Sequence, residues 1–374
     1  MAHLSSAQSP NPFVETTLAY VLSYVSSIAP PVLQPTAITI LADNDYYSQP
    51  ALDATNLPSD QGQRFIDFKV PLSEAHKTGL GSSAALVTAL TAGLLLHYLP
   101  KGDFSLESEN NKAILHNLAQ TAHCAAQGKV GSGFDVASAV YGSSLYRRFS
   151  PSLLADHGNP GSPGFAESIR SLVRDRQWDT EILKAAVKVP PGIRLVMCDV
   201  DCGSQTPGMV KQVLAWRNRE PEEAGMIWSE LHRLNEALAA ELTRLADMQA
   251  HDYGKLEKCI IDIRVLVREM SRLSGVPIEP EQQTQLLDAC TAIDGVVGGV
   301  VPGAGGYDAI ALLVEDKDEV LSRLRRLLAG WEVAKGAEGS ASQSIGKVKL
   351  LDVREEMEGV RTEDASTYAP SSFF

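Results

Sequence analysis

Apolar residues in the first part of this chain follow the spacing of a helix and then that of strands. Asn11-Pro12 is a typical helix start, and the apolar residues after it share one helical face, at positions 13, 14, 18, 21, 22 and 25. Pro30-Pro31 ends this helix. The β-branched stretch 37–41 predicts a strand, and the alternating stretch 65–70 predicts a second one.

The rest of the chain uses the same two patterns, which indicates an α+β protein. Further helices are predicted at 84–98, 108–127, 209–217, 222–249, 252–274, 281–293 and 317–328. Further strands are predicted at 144–149, 193–199, 309–314 and 347–353. The polar residues from 363 onward predict a loosely held end.

A glycine-rich loop stands directly before the helix predicted at 84–98. Its sequence is Lys77-Thr78-Gly79-Leu80-Gly81-Ser82-Ser83-Ala84. Glycine adopts backbone conformations that other residues avoid, and the unpaired N–H groups at a helix N-terminus attract anions. Loop and helix together predict a phosphate-binding cradle. The alternative is that the loop binds no ligand and is only a glycine-rich turn before a buried helix.

The same residues also match the dinucleotide fingerprint G-x-G-x-x-G/A. In that motif a strand runs directly into the turn, and an acidic residue ends a second strand about 20 residues later. Here eight residues separate the strand predicted at 65–70 from the glycine loop, and the acidic residue at the matching distance, Asp103, lies in a loop. These departures argue against a dinucleotide site.

Three downstream segments carry further candidate chemistry. Residues 128–135 are rich in glycine and end in Asp135, which is either a helix N-cap or a functional carboxylate. Five glycines at 298–306 indicate a close approach of the backbone to another group. Ser204 precedes a predicted helix, where a small hydroxyl side chain indicates either a phosphate contact or plain capping.

Length, charge and cysteine content limit the class of protein. The 374 residues are enough for two domains, and 44% hydrophobic with 21% charged residues is typical of a soluble globular protein. The net charge of −13 argues against nucleic-acid and membrane binding. Neither a membrane span nor a signal peptide is expected, and the five scattered cysteines predict reduced thiols, so the expected compartment is the cytoplasm.

Taken together, the glycine-rich segments resemble those of the GHMP small-molecule kinases. Residues 77–84 match the second motif of that superfamily, and Pro302-Gly303-Ala304-Gly305-Gly306-Tyr307-Asp308 matches its third. The segment 116–135 is most similar to the fungal-type phosphomevalonate kinases. The resemblance extends over residues 11–361.

The resemblance implies a two-domain α+β fold with the active site between the domains. Residues 1–190 would form a domain like ribosomal protein S5, truncated at its start, and residues 191–374 a ferredoxin-like α/β domain. It also implies transfer of the γ-phosphoryl group of ATP to 5-phosphomevalonate, with Mg²⁺, in isoprenoid and sterol synthesis. We expect a monomer or a weak homodimer.

The family's functional residues carry over by position. Asp135 and Ser83 would be catalytic, and Ser82 and Ser83 would lie near Mg²⁺. The phosphates of ATP would meet Lys77, Gly79, Leu80, Gly81, Ser82, Ser83 and Ala84. The acceptor would meet Gly133, Arg147, Arg148, Ser204, Gly303, Ala304, Gly305 and Gly306.

The sequence departs from the family in two places. The first motif, a Pro-Gly-Lys segment before a glycine turn, is not found, and with it a lysine near the transferred phosphate. If these residues are the whole protein, we expect weak or no kinase activity and aggregation through an open sheet edge. Mevalonate kinases have a Mg²⁺-binding glutamate about one helical turn before the glycine-rich segment that corresponds to residues 128–135. The nearest equivalent position here is His123, so no acidic Mg²⁺ ligand is assigned.

The acceptor's chemistry suggests a role for Asp135. A phosphate monoester has a second pKa of ~6 and is largely a dianion at neutral pH. A general base is then nearly redundant, and we expect Asp135 to fix a lysine or the metal. Two other functions remain open: a catalytically impaired or non-catalytic homologue that binds ATP or substrate, and an enzyme like mevalonate diphosphate decarboxylase, which would release CO₂.

Overall fold

The computed structural model of the chain describes residues 11–28, 35–48, 65, 76–155, 157–184, 187–200, 206–331, 347–351, 353–364 and 368. These residues combine helices and strands, which confirms the mixed composition predicted from the sequence. They form a mostly helical N-terminal unit and a C-terminal unit around an antiparallel sheet. Among the described residues, no helix has the length and apolar character that a membrane crossing requires.

Three helices make the core of the N-terminal unit: α1 (Pro12–Ile28), α2 (Ser82–Tyr98) and α3 (Glu109–Gln127). They pack against one another, and one fully buried residue from each meets in the same core: Tyr24, Leu95 and Leu115. Two shorter helices, α4 (Phe134–Tyr141) and α5 (Phe165–Arg170), complete the helical part. This packing fixes the N-terminal end of α2, where the glycine loop enters.

Two small antiparallel sheets accompany these helices. The first pairs β1 (Tyr47–Ser48) with β2 (His76–Lys77) directly before the glycine loop. The second pairs β3 (Ser144–Arg147), which follows α4, with β4 (Glu181–Lys184). The β1–β2 sheet therefore lies where the chain enters the glycine loop, and the β3–β4 sheet begins where the chain leaves α4, the helix of Asp135.

The C-terminal unit contains four strands: β5 (Ile193–Val200), β6 (Val296–Val300), β7 (Ala309–Glu315) and β8 (Val348–Leu350). They are antiparallel and lie in the order β6-β7-β5-β8.

Five helices connect these strands. Between β5 and β6 lie α6 (Thr206–Arg219), α7 (Pro221–Met248), α8 (Gly254–Ser274) and α9 (Glu281–Thr291), and α10 (Asp318–Ala329) joins β7 to β8. If the four helices between β5 and β6 are counted as one connection, the order is β-α-β-β-α-β. Leu286, Ile310 and Leu324 are fully buried where α9 and α10 pack on the sheet.

The prediction of a strand at 37–41 is wrong. Residues 35–43 form neither helix nor strand, and Ile38 and Ile40 are 47% and 46% exposed. β-Branched residues favour extended backbone, but a strand also needs a hydrogen-bonding partner, which the local sequence does not supply. Of the strand predicted at 65–70, only Phe65 lies within the described part of the chain.

The segment after β8 returns to the N-terminal unit. The N–H and the hydroxyl of Ser143 both donate to the carbonyl oxygen of Glu356, at 2.8 and 2.9 Å. Val360 packs against the helical core. At Gly359, a Cβ atom would lie 2.1 Å from the carbonyl oxygen of Val140 on α4. Residues 353–360 are therefore a second link between the two units, besides the one that precedes β5.

We expect Gly359→Ala to lower the free energy of unfolding by about 1–3 kcal/mol, because the added methyl group overlaps the backbone of α4. Gly102→Ala is the control, since among the described residues no atom lies within 4 Å of the Cβ position there. It should change that free energy by less than about 0.5 kcal/mol. Denaturant unfolding measures both, and equal stability of the two variants would contradict the tight docking of this segment.

Candidate active site

The glycine loop enters α2 through two residues in the left-handed region. Gly79 and Gly81 have φ angles of 74° and 72°, which residues with a Cβ atom rarely adopt. Gly81 is the N-cap, and the first helical bond runs from the N–H of Ala85 to its carbonyl at 3.1 Å. The N–H groups of residues 82–84 therefore have no acceptor within the helix, and together with the helix dipole they favour a negative charge at this position.

Hydrogen bonds beneath the loop hold its backbone in place. The buried hydroxyl of Thr78 donates to the carbonyl of Asp45 at 2.6 Å, and the Thr78 N–H donates to the carbonyl of Tyr46 at 3.2 Å. Burial raises the pKa of Tyr47, and a hydrogen bond from Ser82 opposes that rise. At Gly79, in contrast, an added Cβ atom would have no atom of the described residues within 4 Å, so the backbone there is open to a ligand.

Asp135 lies in the first turn of α4, beside the glycine loop. A Cβ atom at Gly81 would be 3.6 Å from the Cβ atom of Asp135. The carboxylate Oδ1 accepts the N–H of Val136 at 3.0 Å, and the positive end of the helix dipole favours its charge. The N-cap of α4 is Gly133, with a φ angle of 83°, so the alternative that Asp135 caps this helix is wrong.

His123 on α3 connects the glycine loop with Asp135. Its Nε2 lies 3.0 Å from the hydroxyl oxygen of Ser83 and 3.9 Å from Oδ2 of Asp135. The amide nitrogen of Gln127 lies 3.3 Å from Nδ1, so Nδ1 accepts and Nε2 donates. The sequence analysis did not predict this role for His123. The only sequence feature that pointed to it is its position in the segment 116–135, which resembles the fungal-type kinases.

Close contacts around Gly133 shape the loop that precedes Asp135. A Cβ atom at Gly133 would lie 2.6 Å from Oε1 of Gln120 and 2.6 Å from the hydroxyl oxygen of Tyr146. That hydroxyl donates to the carbonyl of Ser132 at 3.0 Å, and burial raises the pKa of Tyr146 to about 12. The phenol therefore stays protonated at neutral pH and ties this loop to β3.

The two candidate arginines have different partners. Arg147 pairs with Glu181 on β4 at 3.1 Å and approaches Glu236 on α7 at 3.9 Å. Arg148 donates to the carbonyl of Val130 at 3.2 Å, within the loop that leads to Asp135. The structure therefore brings Arg148 to this loop, whereas Arg147 is engaged by carboxylates.

The third glycine loop lies between β6 and β7. Gly303, Gly305 and Gly306 have φ angles of 66°, 82° and 107°, and Ala304 lies between the first two. The N–H of Gly306 donates to the carbonyl of Ile278 at 2.9 Å. A Cβ atom added at Gly303 would have no atom of the described residues within 4 Å, so this part of the loop is open.

The predicted site residues thus fall into separate groups. Gly81, Ser83 and Asp135 come together around His123. Lys77 lies on β2 at the entrance to the glycine loop, and Gly305 and Gly306 lie beside Ile278 and Met209 of the C-terminal unit. Ser204 lies outside the described residues.

A cavity of about 330 Å³ lies beside Leu80, between the two units. Its walls carry charges of both signs and come from Asp43, Asp45, Tyr46, Leu195, Met197, Val353, Arg354 and Glu355. Within the described ranges, no group of three or more His, Cys, Asp and Glu side chains is arranged to hold a metal.

Comparison with known proteins identifies relatives of this chain. The family model for the GHMP kinases N terminal domain matches residues 54–143, which include the glycine loop and Asp135. Phosphomevalonate kinase ERG8 of Gibberella zeae is 53% identical over 365 residues, which are 96% of this chain and 78% of that protein. Phosphomevalonate kinase erg8 of Aspergillus fumigatus is 52% identical over 369 residues, 96% of this chain and 75% of that protein.

A solved structure shares the fold at low sequence identity. The Lin0012 protein of Listeria innocua superposes with a TM-score of 0.61 at 18% identity, covering 94% of this chain and 83% of that one. This likeness concerns the fold alone, whereas the two fungal relatives share more than half of their aligned residues with the chain. The chain belongs to the GHMP kinase family and, within it, to the phosphomevalonate kinases.

Proposed function

We propose that this chain transfers the γ-phosphoryl group of ATP to 5-phosphomevalonate, giving 5-diphosphomevalonate and ADP. The observation that carries the proposal is the identity of more than half of the aligned residues to two phosphomevalonate kinases over 96% of the chain. The local geometry agrees with it, because Ser83, His123 and Asp135 meet at the N-terminus of α2.

The glycine loop fits the phosphates of ATP. The N–H groups of residues 82–84 have no helical acceptor, and the backbone at Gly79 is open. An anion placed there accepts these N–H groups and gains from the positive end of the helix dipole. In this proposal residues 79–84 wrap the phosphates, and Lys77 adds a positive charge from two residues upstream.

The same region fits Mg²⁺, which prefers oxygen ligands and takes only one or two carboxylates from a protein, with phosphates and water as the rest. Asp135 offers a carboxylate and Ser83 a hydroxyl, and both approach the same imidazole nitrogen within 3.9 Å. Ser82 is the weaker candidate because its hydroxyl bonds to Tyr47. A bound Mg²⁺ supplies positive charge that stabilises the transferred phosphoryl group.

The chemistry of the acceptor decides the role of Asp135. A phosphate monoester, with a second pKa of ~6, needs almost no general base at neutral pH. A carboxylate between two anions is repulsive unless a cation separates them. We therefore assign Asp135 to holding the metal or a lysine, while His123 fixes the hydroxyl of Ser83. Both roles are positioning and charge stabilisation, on which phosphoryl transfer depends.

The acceptor phosphate needs positive or N–H donors in a chain whose net charge is −13. Arg148 suits this role better than Arg147, because Arg147 already pairs with Glu181. Of residues 303–306, Gly303 and Ala304 would add backbone N–H groups, because those of Gly305 and Gly306 donate to the carbonyls of Pro302 and Ile278. Gly133 and Ser204 are the other residues that we propose to contact the acceptor substrate.

The proposal extends to domains and cellular setting. Residues 1–190 would form a domain like ribosomal protein S5, and residues 191–374 a ferredoxin-like domain. The sheet order β6-β7-β5-β8 supports the second assignment, as does the order β-α-β-β-α-β when α6 to α9 are counted as one connection. We also propose that the protein acts in the cytoplasm as a monomer or weak homodimer.

The test is ADP formation by the purified chain with two acceptors. We expect ADP release with 5-phosphomevalonate and at least about 100-fold lower kcat/KM with mevalonate. Mevalonate lacks the phosphate group, so the N–H groups and the arginine that would bind this phosphate stay unpaired. Calorimetry with each substrate separates binding from turnover. Binding of both without ADP release would indicate a non-catalytic homologue, and CO₂ release from 5-diphosphomevalonate would indicate a decarboxylase.

Asp135→Asn and Asp135→Ala should each lower kcat about 10²–10³-fold, because the charge that organises the site is lost. Asp103→Ala, on an exposed loop, is the control and should stay within about twofold of the wild type. Rates measured across pH distinguish the two roles. If the wild type loses activity in acid and both Asp135 variants lack that dependence, Asp135 acts as a general base and the positioning role is wrong.

A further inference from the structure

The third glycine loop rests on the turn that joins α8 to α9. In this turn, residues 275–280, the carbonyl oxygen of Ile278 accepts the N–H of Gly306 at 2.9 Å. Gly305 packs on the same residue, since a Cβ atom there would lie 2.4 Å from that oxygen and 2.6 Å from Cγ2 of Ile278. The conformation of the glycine loop therefore depends on where this turn is held.

A buried carboxylate holds the turn. The side chain of Glu279 is 1% exposed and accepts from Nη2 of Arg264 at 2.7 Å and from Nη1 of Arg268 at 3.0 Å. The hydroxyl of Thr284 donates to the same carboxylate oxygen at 3.0 Å. A buried charge that loses its partners is strongly unfavourable, so Glu279 and the adjacent Ile278 are fixed against α8 and α9.

Gln283 on α9 holds the other end of the loop. Its side chain is fully buried, and its Nε2 donates to the carbonyl oxygen of Tyr307 at 2.6 Å. Burying the amide nitrogen without an acceptor would be unfavourable, so Nε2 of Gln283 and this carbonyl constrain each other. The loop is therefore held at Gly306 through the turn and at Tyr307 through α9.

We propose that Glu279 and Gln283 are positioning residues that hold residues 302–307 in the conformation that presents the N–H groups of Gly303 and Ala304 to the acceptor phosphate, while those of Gly305 and Gly306 bond within the protein. For the identity of the acceptor, this inference rests on the proposed function. Three loop glycines with positive φ make the loop adaptable, because glycine has many accessible conformations. Holding it before the substrate arrives lowers the entropy lost on binding.

Gln283→Met tests this role, because methionine has a similar volume and lacks the N–H donor. Gln285→Met is the matched control on the same helix, since Gln285 is exposed and bonds to Glu281 at the surface. Glu279→Gln is a second variant that removes the charge from the turn. Hydrogen exchange of residues 303–308 reports how firmly the loop is held without any substrate, and steady-state kinetics report the consequence for each substrate.

In Gln283→Met we expect exchange at 303–308 to become about tenfold faster and KM for 5-phosphomevalonate to rise about tenfold. The kcat and the KM for ATP should stay within about twofold of the wild type, a split that general destabilisation would not produce. Glu279→Gln should shift exchange and KM in the same direction, and Gln285→Met should match the wild type.

Unchanged exchange in Gln283→Met, or faster exchange with unchanged KM, overturns the inference. Equally faster exchange in peptides of α2 also overturns it, because the variant then loosens the whole protein. A wild-type chain that binds no 5-phosphomevalonate refutes the proposed function and the acceptor named here. Exchange at 303–308 then still decides whether Glu279 and Gln283 hold the loop.

Discussion

The hydrogen bond between His123 and Ser83 is the constraint on which the rest of the site depends. It joins α3 to the first turn of α2, and the same imidazole lies 3.9 Å from the carboxylate at the start of α4. Three helices that meet at one buried side chain in a close-packed core cannot shift independently. The glycine loop supplies open backbone, whereas the helical core decides where that backbone lies.

Two helix N-termini lie side by side in this arrangement and differ in how they are used. At α4, Asp135 places the protein's own negative charge in the first turn. At α2, residues 82–84 leave their N–H groups without a helical acceptor, and the first turn contains no acidic residue. A chain with a net charge of −13 can attract a phosphate only through such local fields. The open terminus of α2 provides one, and a metal between the phosphate and Asp135 would add the charge that the protein lacks.

The parts of the site that could be predicted from the sequence are those with local causes. Glycines before apolar helices correctly indicated that α2 and α4 begin at glycine loops. The role of His123 could not be predicted, because it comes from a contact across 40 residues. Arg147 and Arg148 are adjacent in sequence and differ only through distant partners, which are Glu181 and Glu236 for Arg147 and the carbonyl of Val130 for Arg148. The strand predicted at 37–41 failed for the same reason, since pairing depends on tertiary partners.

The return of residues 353–360 to α4 has a mechanical consequence. The chain passes between the two units before β5 and again after β8, and the second crossing ends beside the helix that carries Asp135. Two covalent crossings leave rotation about the line through them as the easiest relative motion of the units. Opening and closing would then be a hinge movement with α4 near its axis. Since the crossing segment meets α4 at Val140, that end of the helix would move little, while loops far from the line would travel further.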